Sequence, residues 1–557
     1  MDLNGLNVLV LGLGDSGLAM AAWCHRLGAT VRVWDSREQP PQLANLGDAE
    51  FFSGALTAES LAGVQRVFKS PGLSPLDVRL AAVYASGLPV QGELDLFAQA
   101  LADLKAARGY SPAVLAITGT NGKTTTTCMT GLLVERAGKR VVMAGNIGPS
   151  MLMTLADALD KEPAAVVEVA VPDEPAPAEV NTLEAEPSAT TALEAVEALL
   201  DNAPVPIEPP PVKGPVFEVL PEVWVLELSS FQLDGVVGFE PTAAAVLNLT
   251  QDHLDWHGDM TAYGRAKACI FGDGAVMVIN RDDPLVEAMV PAAVVVKQGR
   301  GRAAKSVGRK VVRFGLDAPT LPGDFGLVQE GGMAWLVRAR ELDETIKLRK
   351  GEEAEEISVQ RLMPADALRV RGRHNAANAL AALALATAAD CALAPMLHGL
   401  REYRGEPHRV EHVATINGVD FYDDSKGTNV GATVAAITGL GADRAPGQLV
   451  LILGGDGKGQ DFSPLRPGIA RHARAVALIG RDGPQIEAAL AGIDVPVQSH
   501  ATLEAATAWC LAQAHSGDSV LLSPACASLD MFRNYAHRAE VFVGTVQALS
   551  NDAGVIA

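Results

Sequence analysis

From residue 6 onward the apolar positions come in short unbroken runs. LNVLVL at 6–11 stops at Gly12, Gly14 and Gly17, a helix-spaced segment Leu18–Leu27 follows, and Ala29–Trp34 stops at Asp35. Runs of this length, bounded by turn residues and separated by helical stretches, are the signature of strands buried on both faces of a parallel sheet. The alternation continues to about residue 105 and includes VQRVFKSPG at 64–72, where a short strand meets a Pro-Gly turn. A second series opens with AVLAIT at 113–118 and a helix through Arg136, with strands at 140–145, 222–228, 243–249 and 275–280. A third, from about Pro407, contains VDFYDDS, QLVLILGG, AVALIG and SVLLSP, each ending at Gly, Asp or Ser. The pattern predicts three successive α/β domains, at 1–107, 108–403 and 404–557, with ligand-facing groups at strand C-termini. The longest apolar stretch, Ala376–Leu397, is mostly Ala and carries Asn378 and Asp390, so it predicts a buried helix rather than a membrane span.

One stretch breaks the pattern. Residues 160–215 hold 11 of the 33 prolines and 12 acids against only Lys161 and Lys213, for a local charge of −10. No aromatic residue occurs there, and only Leu193, Val196, Leu199 and Leu200 suggest an apolar stripe. Such a chain buries too little surface to offset its ordering entropy, so an acidic, disordered insertion in the central domain is expected. The insertion accounts for nearly half of the net charge of −21 on 557 residues.

The remaining charge is moderate, and an acidic chain is not expected to bind nucleic acid or anionic membrane. A basic cluster (Arg300, Arg302, Lys305, Arg309, Lys310, Arg313) lacks interleaved aromatics and reads as a solvated loop and hairpin edge. Six scattered cysteines without a C-x-x-C pair fit a reducing compartment. The opening MDLNGLNVLVLGLG has no basic n-region, so no signal peptide and a cytoplasmic location are expected.

Chemistry concentrates in a few motifs. Gly12-x-Gly14-x-x-Gly17 with Asp35 after the next strand suits a nucleotide-like anion at a helix N-terminus. Gly119-Thr120-Asn121-Gly122-Lys123-Thr124 lies between a strand and a helix, the context of a phosphate loop, though its spacing is short. There Lys123 would neutralise phosphates and Thr124 would ligate Mg²⁺. Glu227 ends a strand beside Ser229 and Ser230, a natural Mg²⁺ ligand, and Asp252-His253 follows the next strand. On spacing alone Lys267 is a solvated lysine.

Together these motifs resemble the Mur ligases, ATP-dependent amide-forming enzymes of peptidoglycan precursor synthesis, over nearly the whole chain except 160–215 and part of 300–365. The resemblance implies a Rossmann-like UDP-binding first domain, a central ATPase-like domain with the phosphate loop, and a Rossmann-like third domain. It points to the D-glutamate-adding branch, since the Asp-Asn-Pro-Arg motif of the diaminopimelate-adding branch is absent. It further implies that Lys267 is carbamylated and, with Thr124, Glu227 and His253, holds Mg²⁺, two ions in all. ATP would contact Gly119 to Thr125, Asn375, Asn378, Arg409 and Asp424, and Lys426 the transferred phosphate. Gly14, Asp35, Ser36, Arg37, Ser70, Gly72, Asn146 and Gln232 would bind UDP-N-acetylmuramoyl-L-alanine. Thr428, Lys458, Ser528, Leu529 and Tyr535 would bind D-glutamate, Tyr535 standing where related chains have Phe. Lys123, Lys267, His253 and Lys426 form the expected catalytic set, working in a monomer on small-molecule substrates.

Three other classes compete. A nicotinamide oxidoreductase would use Gly12–Gly17 but leave Lys123, Glu227 and His253 idle. A folylpolyglutamate synthase-like ligase would share the phosphate loop but not the UDP-type first domain or Ser523–Asp530. A scaffold protein would use the acidic insertion without needing a metal-ready constellation.

Overall fold

The computed structural model describes residues 2–163, 216–296, 305–342, 357–370 and 372–554. The expected disordered insertion lies outside the described residues from 164 to 215. Its first residues do not: Asp160 and Lys161 complete a helix, and the Glu162 carboxylate accepts backbone N–H groups of Glu218, Val219 and Leu220 at 2.6–2.8 Å.

The chain forms three α/β domains. The first holds a five-stranded parallel sheet of β1 (Asn7–Leu11), β2 (Thr30–Trp34), β3 (Glu50–Phe52), β4 (Arg66–Lys69) and β5 (Val90–Gln91), in the order β3-β2-β1-β4-β5. Helix α1 (Asp15–Arg26) follows the glycine turn, and α2 (Glu93–Arg108) leads out of the domain. The central domain is built on a six-stranded parallel sheet: β6 (Ala113–Thr118), β7 (Val141–Gly145), β8 (Val223–Glu227), β9 (Ala243–Val246), β10 (Val276–Asn280) and, beyond the hairpin β11 (Val294–Val296) and β12 (Lys305–Val307), β13 (Val311–Phe314). Their order is β13-β10-β9-β6-β8-β7, which puts the phosphate-loop strand β6 at the centre between β9 and β8. Helices α3 (Lys123–Arg136), α4 (Met151–Lys161) and α5 (Met260–Ala268) accompany it.

An antiparallel sheet of β14 (Phe325–Glu330), β15 (Met333–Glu341) and β16 (Ile357–Pro364) completes the central domain. The apolar stretch expected to be one helix is two, α6 (Arg373–Ala388) and α7 (Leu393–Glu402). The break falls at Asp390, whose φ of 56° is incompatible with helix continuation. The first of these is buried nearly all round and lies in one core with Leu133 of α3 and Phe325 and Leu336 of the antiparallel sheet. Its small alanines let the neighbouring backbones approach closely.

The third domain carries β17 (Glu411–Ile416), β18 (Val419–Asp423), β19 (Leu449–Gly454), β20 (Ala473–Ile479), β21 (Val497–Ser499) and β22 (Ser519–Leu522), in the order β17-β18-β22-β19-β20-β21 with only β17 antiparallel. Helices α8 (Val430–Asp443) and α9 (Tyr535–Asp552) flank it. The cores divide unevenly. One continuous cluster runs from Leu3 through Phe97 and Trp224 to Val286, so the first two domains share apolar packing, while the third has clusters of its own. Phe97 of α2 meets Trp224 of β8 edge-on at 4.9 Å, and the Trp224 indole N–H donates to the Tyr110 hydroxyl at 2.9 Å.

The basic cluster departs from its solvated reading where it is described. The Arg309 guanidinium donates to the carbonyls of Phe271, Gly272 and Ala275, and Arg313 pairs with Glu287 at 2.7 Å. These arginines tie β13 and the turn before it to the segments on either side of β10.

Candidate active site

The chain leaves β6 at Thr118 and turns through Gly119-Thr120-Asn121-Gly122 into α3. Gly122 has φ +81°, and a Cβ there would lie 2.7 Å from the Asn378 amide oxygen, so both the turn and the closeness of α6 demand glycine. Lys123 folds back over this turn, donating to the Gly119 and Thr120 carbonyls at 2.8 and 2.9 Å. Burial lowers its proton affinity, opposed by Glu227 and Asp252. An ammonium above backbone N–H groups at a helix N-terminus is a ready polyphosphate seat.

Lys267 reaches the same turn from α5 and is 1% exposed. Its amine donates to the Gly119 carbonyl at 2.9 Å and the Thr118 hydroxyl at 3.2 Å, with the Tyr263 ring centroid 4.7 Å away. Burial first, and then the neighbouring Lys123 charge, pull it well below an ordinary lysine. A neutral, nucleophilic amine is the form that adds to carbon dioxide.

Glu227 closes β8 and is 2% exposed. One carboxylate oxygen accepts the Asn146 amide at 2.7 Å, while Oε2 is buried with no hydrogen-bond partner. A buried carboxylate oxygen left open beside a phosphate loop fits a hard cation such as Mg²⁺, which takes oxygen ligands. His253 stands nearby in a left-handed conformation (φ 53°), its Nε2 3.5 Å from Asp252 and its ring edge-on to Phe231. Burial, together with Lys123, Lys458 and Lys267, lowers its proton affinity despite Asp252, which favours the neutral, metal-ligating imidazole.

The central and third domains enclose a cavity of about 330 Å³ over the phosphate loop. Gly122, Thr125, Asn375 and Asn378 line one side, with Asp424 and Lys426 on the other. Leu247, Phe314 and Leu316 add apolar wall suited to a flat base. Polar contacts cross the seam: Asn121 and Asn429 exchange side-chain hydrogen bonds at 2.9 and 3.3 Å, Arg409 donates to the Thr124 hydroxyl, and the Gly372 N–H donates to the Asp443 carboxylate at 2.9 Å. Burial raises Asp424 to about 7, against the pull of the Ser523 hydroxyl and Arg409. The sequence points to Asn121 as an ATP contact but not to its pairing with Asn429 or with the Asn248 amide that brackets it, because partners 127 and 308 residues apart leave no local pattern.

Beyond the cavity, the Lys426 ammonium sits 3.9 Å from the Tyr535 ring centroid, at the start of α9. Backbone bonds between Asp456 and Ala527 bring the Lys458 turn beside Ser528, which is buried, and Leu529, which is 69% exposed. Thr428 lies in the same loop, its N–H bonded to the Lys426 carbonyl at 2.8 Å.

The first-domain residues gather at the C-terminal edge of its sheet. Gly14 precedes α1, and a Cβ on Gly17 would stand 1.8 Å from the Gly12 carbonyl, so that turn closes only with glycine. Asp35 accepts N–H groups of Leu13 and Arg37 and the Arg37 guanidinium; these outweigh its burial and bring it down to about 2. Ser36 is exposed beside them, and the Ser70–Gly72 turn packs on Gly12. Asn146 and Gln232 belong to the central domain, and the Ser230–Leu233 turn is capped reciprocally, the Ser229 hydroxyl accepting the Gln232 N–H and the Gln232 side-chain oxygen the Ser229 N–H.

The comparisons with known proteins follow the same three-part order. The model of the Mur ligase MurD-like N-terminal domain matches residues 6–92, that of the Mur ligase middle domain 117–189 and 216–386, and that of the Mur ligase glutamate ligase domain 408–526. The chain is similar to the UDP-N-acetylmuramoylalanine–D-glutamate ligase of Albidiferax ferrireducens, 55% identical over 560 residues, covering 99% of this chain and 98% of that one. The protein of that name from Burkholderia thailandensis is 51% identical over 564 residues, covering 98% of each. The solved UDP-N-acetylmuramate–alanine ligase MurC of Thermotoga maritima shares the fold, with a TM-score of 0.52 at 17% identity over 98% of this chain and 99% of that one. Full-length identity above one half, and three family domains in sequence, show that the chain belongs to the Mur ligases, ATP-dependent enzymes that form amide bonds.

Proposed function

We propose that the chain joins D-glutamate to UDP-N-acetylmuramoyl-L-alanine in peptidoglycan precursor synthesis, with ATP converted to ADP and phosphate. The observation that carries the reading is the meeting of Lys123, Lys267 and the open Glu227 oxygen at one phosphate turn. The choice of substrates rests on the full-length relatives.

In the proposed course, the L-alanyl carboxylate attacks the γ-phosphate of ATP, giving an acyl phosphate and ADP. The D-glutamate amine then attacks the acyl carbon, loses a proton, and phosphate leaves. The work of the chain is positioning and charge neutralisation. Lys123 meets the phosphates at the phosphate turn and Lys426 from the third-domain side of the cavity, while Asn375, Asn378, Arg409 and Asp424 hold the nucleoside. Asp35, Arg37 and the Gly14 and Ser70–Gly72 turns take the UDP end, and Asn146 and Gln232 the sugar–peptide end. Thr428, Lys458, Ser528, Leu529 and Tyr535 surround the amino acid.

Thr124, Glu227, His253 and a carbamate on Lys267 would hold Mg²⁺, two ions that would offset the charge of the phosphates. The carbamate forms when the Lys267 amine bonds to the carbon of carbon dioxide and releases a proton; it converts a buried amine into an anionic oxygen ligand. Closure of the third domain completes the site, and the enzyme works as a cytoplasmic monomer. Oxygen labelling tests the route. With label in the L-alanyl carboxylate, one labelled oxygen passes into the released phosphate; unlabelled phosphate contradicts the acyl-phosphate step.

A further inference from the structure

Lys69 has no part in the scheme above, yet it stands where the first two domains meet. It ends β4, directly before the Ser70–Gly72 turn. Its ammonium reaches over that turn to the Leu73 carbonyl at 2.7 Å and the Ser70 carbonyl at 3.5 Å. On the far side it faces the Trp256 ring at 5.5 Å, within cation–π range. Trp256 belongs to the helical turn Leu254–His257 that follows His253. Phe231 joins the two, with ring centroids 4.4 Å from Trp256 and 4.7 Å from His253. One lysine thus touches the proposed UDP-substrate turn and, through two rings, the proposed metal histidine.

The surroundings suit such a tether. Lys69 lines an interdomain cavity of about 230 Å³ with Pro71, Phe231 and Gln232. The charged and titratable groups facing that cavity are Glu93 and Asp95 at the start of α2, Asp234 after the Ser230–Leu233 turn, and Tyr84. Glu93 and Asp95 are committed elsewhere: Glu93 accepts the Leu152 N–H, and Asp95 the N–H groups of Gly92 and Val237. Burial is therefore opposed chiefly by Asp234, and it brings the Lys69 ammonium down to about 8.

We propose that Lys69 is a positioning residue that ties the UDP-substrate turn of the first domain to the His253 segment of the central domain, so that its charged form tightens binding of the UDP-linked substrate. The proposal rests on the reading of Ser70–Gly72 as part of that substrate's site. With the ammonium charged, the turn is held; with it neutral, the cation–π contact is lost and the bonds to Leu73 and Ser70 weaken.

The experiment measures KM for UDP-N-acetylmuramoyl-L-alanine and for ATP across pH 7 to 9.5 in the full chain and in Lys69→Met and Lys69→Arg. In the native chain the substrate KM rises as pH passes through about 8, the sign expected when the working form is the protonated one. Lys69→Met raises that KM by about tenfold at pH 7, flattens its pH dependence and leaves the ATP KM within about twofold. Lys69→Arg keeps the low KM and carries it to higher pH. A native substrate KM that is flat across the range overturns the proposal without any variant. So does a Lys69→Met enzyme with native KM and pH profile. Loss of UDP-substrate dependence altogether, in a chain that still turns over ATP, instead contradicts the proposed function.

Discussion

Lys267 shows most clearly how much of a role lies beyond the reach of spacing. In the sequence it is one lysine on an ordinary helix; only the fold buries it against Thr118, Gly119 and Tyr263. Burial of an amine beside a second lysine is unfavourable unless the group stays neutral or is modified. Lys267→Ala is therefore expected to lower turnover by at least about a hundredfold, a loss of roughly 3 kcal/mol in transition-state stabilisation. Short carboxylates such as acetate should restore part of it, and the thermal midpoint should hold. Activity near native in that variant would remove the lysine from the mechanism. Glu227 and Lys123 were legible because each ends or follows an apolar strand at a Gly- or Ser-rich turn, and strand ends are where such sites form. The open oxygen of Glu227 was not, since it depends on Asn146 occupying the other.

At the scale of elements, the parallel strands were readable because both faces are buried, which leaves unbroken apolar runs. β15 and β17 escaped notice because one face of each is partly exposed and polar residues interrupt the run. The Ala-rich stretch misled differently: composition favoured one helix, and a single left-handed residue, Asp390, made two. The acidic insertion was placed correctly within the central domain, but its first residues carry structure. Asp160 pairs with Arg26, and Glu162 accepts three N–H groups of the returning chain. Hydrogen bonds of this kind contribute about 1 kcal/mol each, less where solvent reaches them. Replacing 164–215 by a short Gly-Ser linker is expected to leave turnover within about twofold and the thermal midpoint unchanged. Removing 160–215 instead should lower the midpoint by several degrees, as a loss of about 1–2 kcal/mol would. Equal midpoints for the two deletions would show that the Glu162 contacts contribute nothing.

Across the whole molecule, packing divides the chain two against one. The first and central domains share a core through Phe97 and Trp224, whereas the third meets the central domain through polar contacts such as Asn121–Asn429 and Arg409–Thr124. A seam of hydrogen bonds separates at lower cost than shared apolar surface, so the third domain is the part suited to open and close over ATP. Nearly half of the net acidity lies outside this machinery: without 160–215 the chain has 501 residues and a charge of −11. The cavity itself is lined by Lys426 and Arg409, local cations in an otherwise acidic protein. The central claim is that this assembly adds D-glutamate to UDP-N-acetylmuramoyl-L-alanine. It is tested most directly by phosphate release with ATP, Mg²⁺ and that substrate against a panel of amino acids. D-glutamate should stimulate release strongly, with L-glutamate and diaminopimelate near background. Equal release with L-glutamate or diaminopimelate would contradict it.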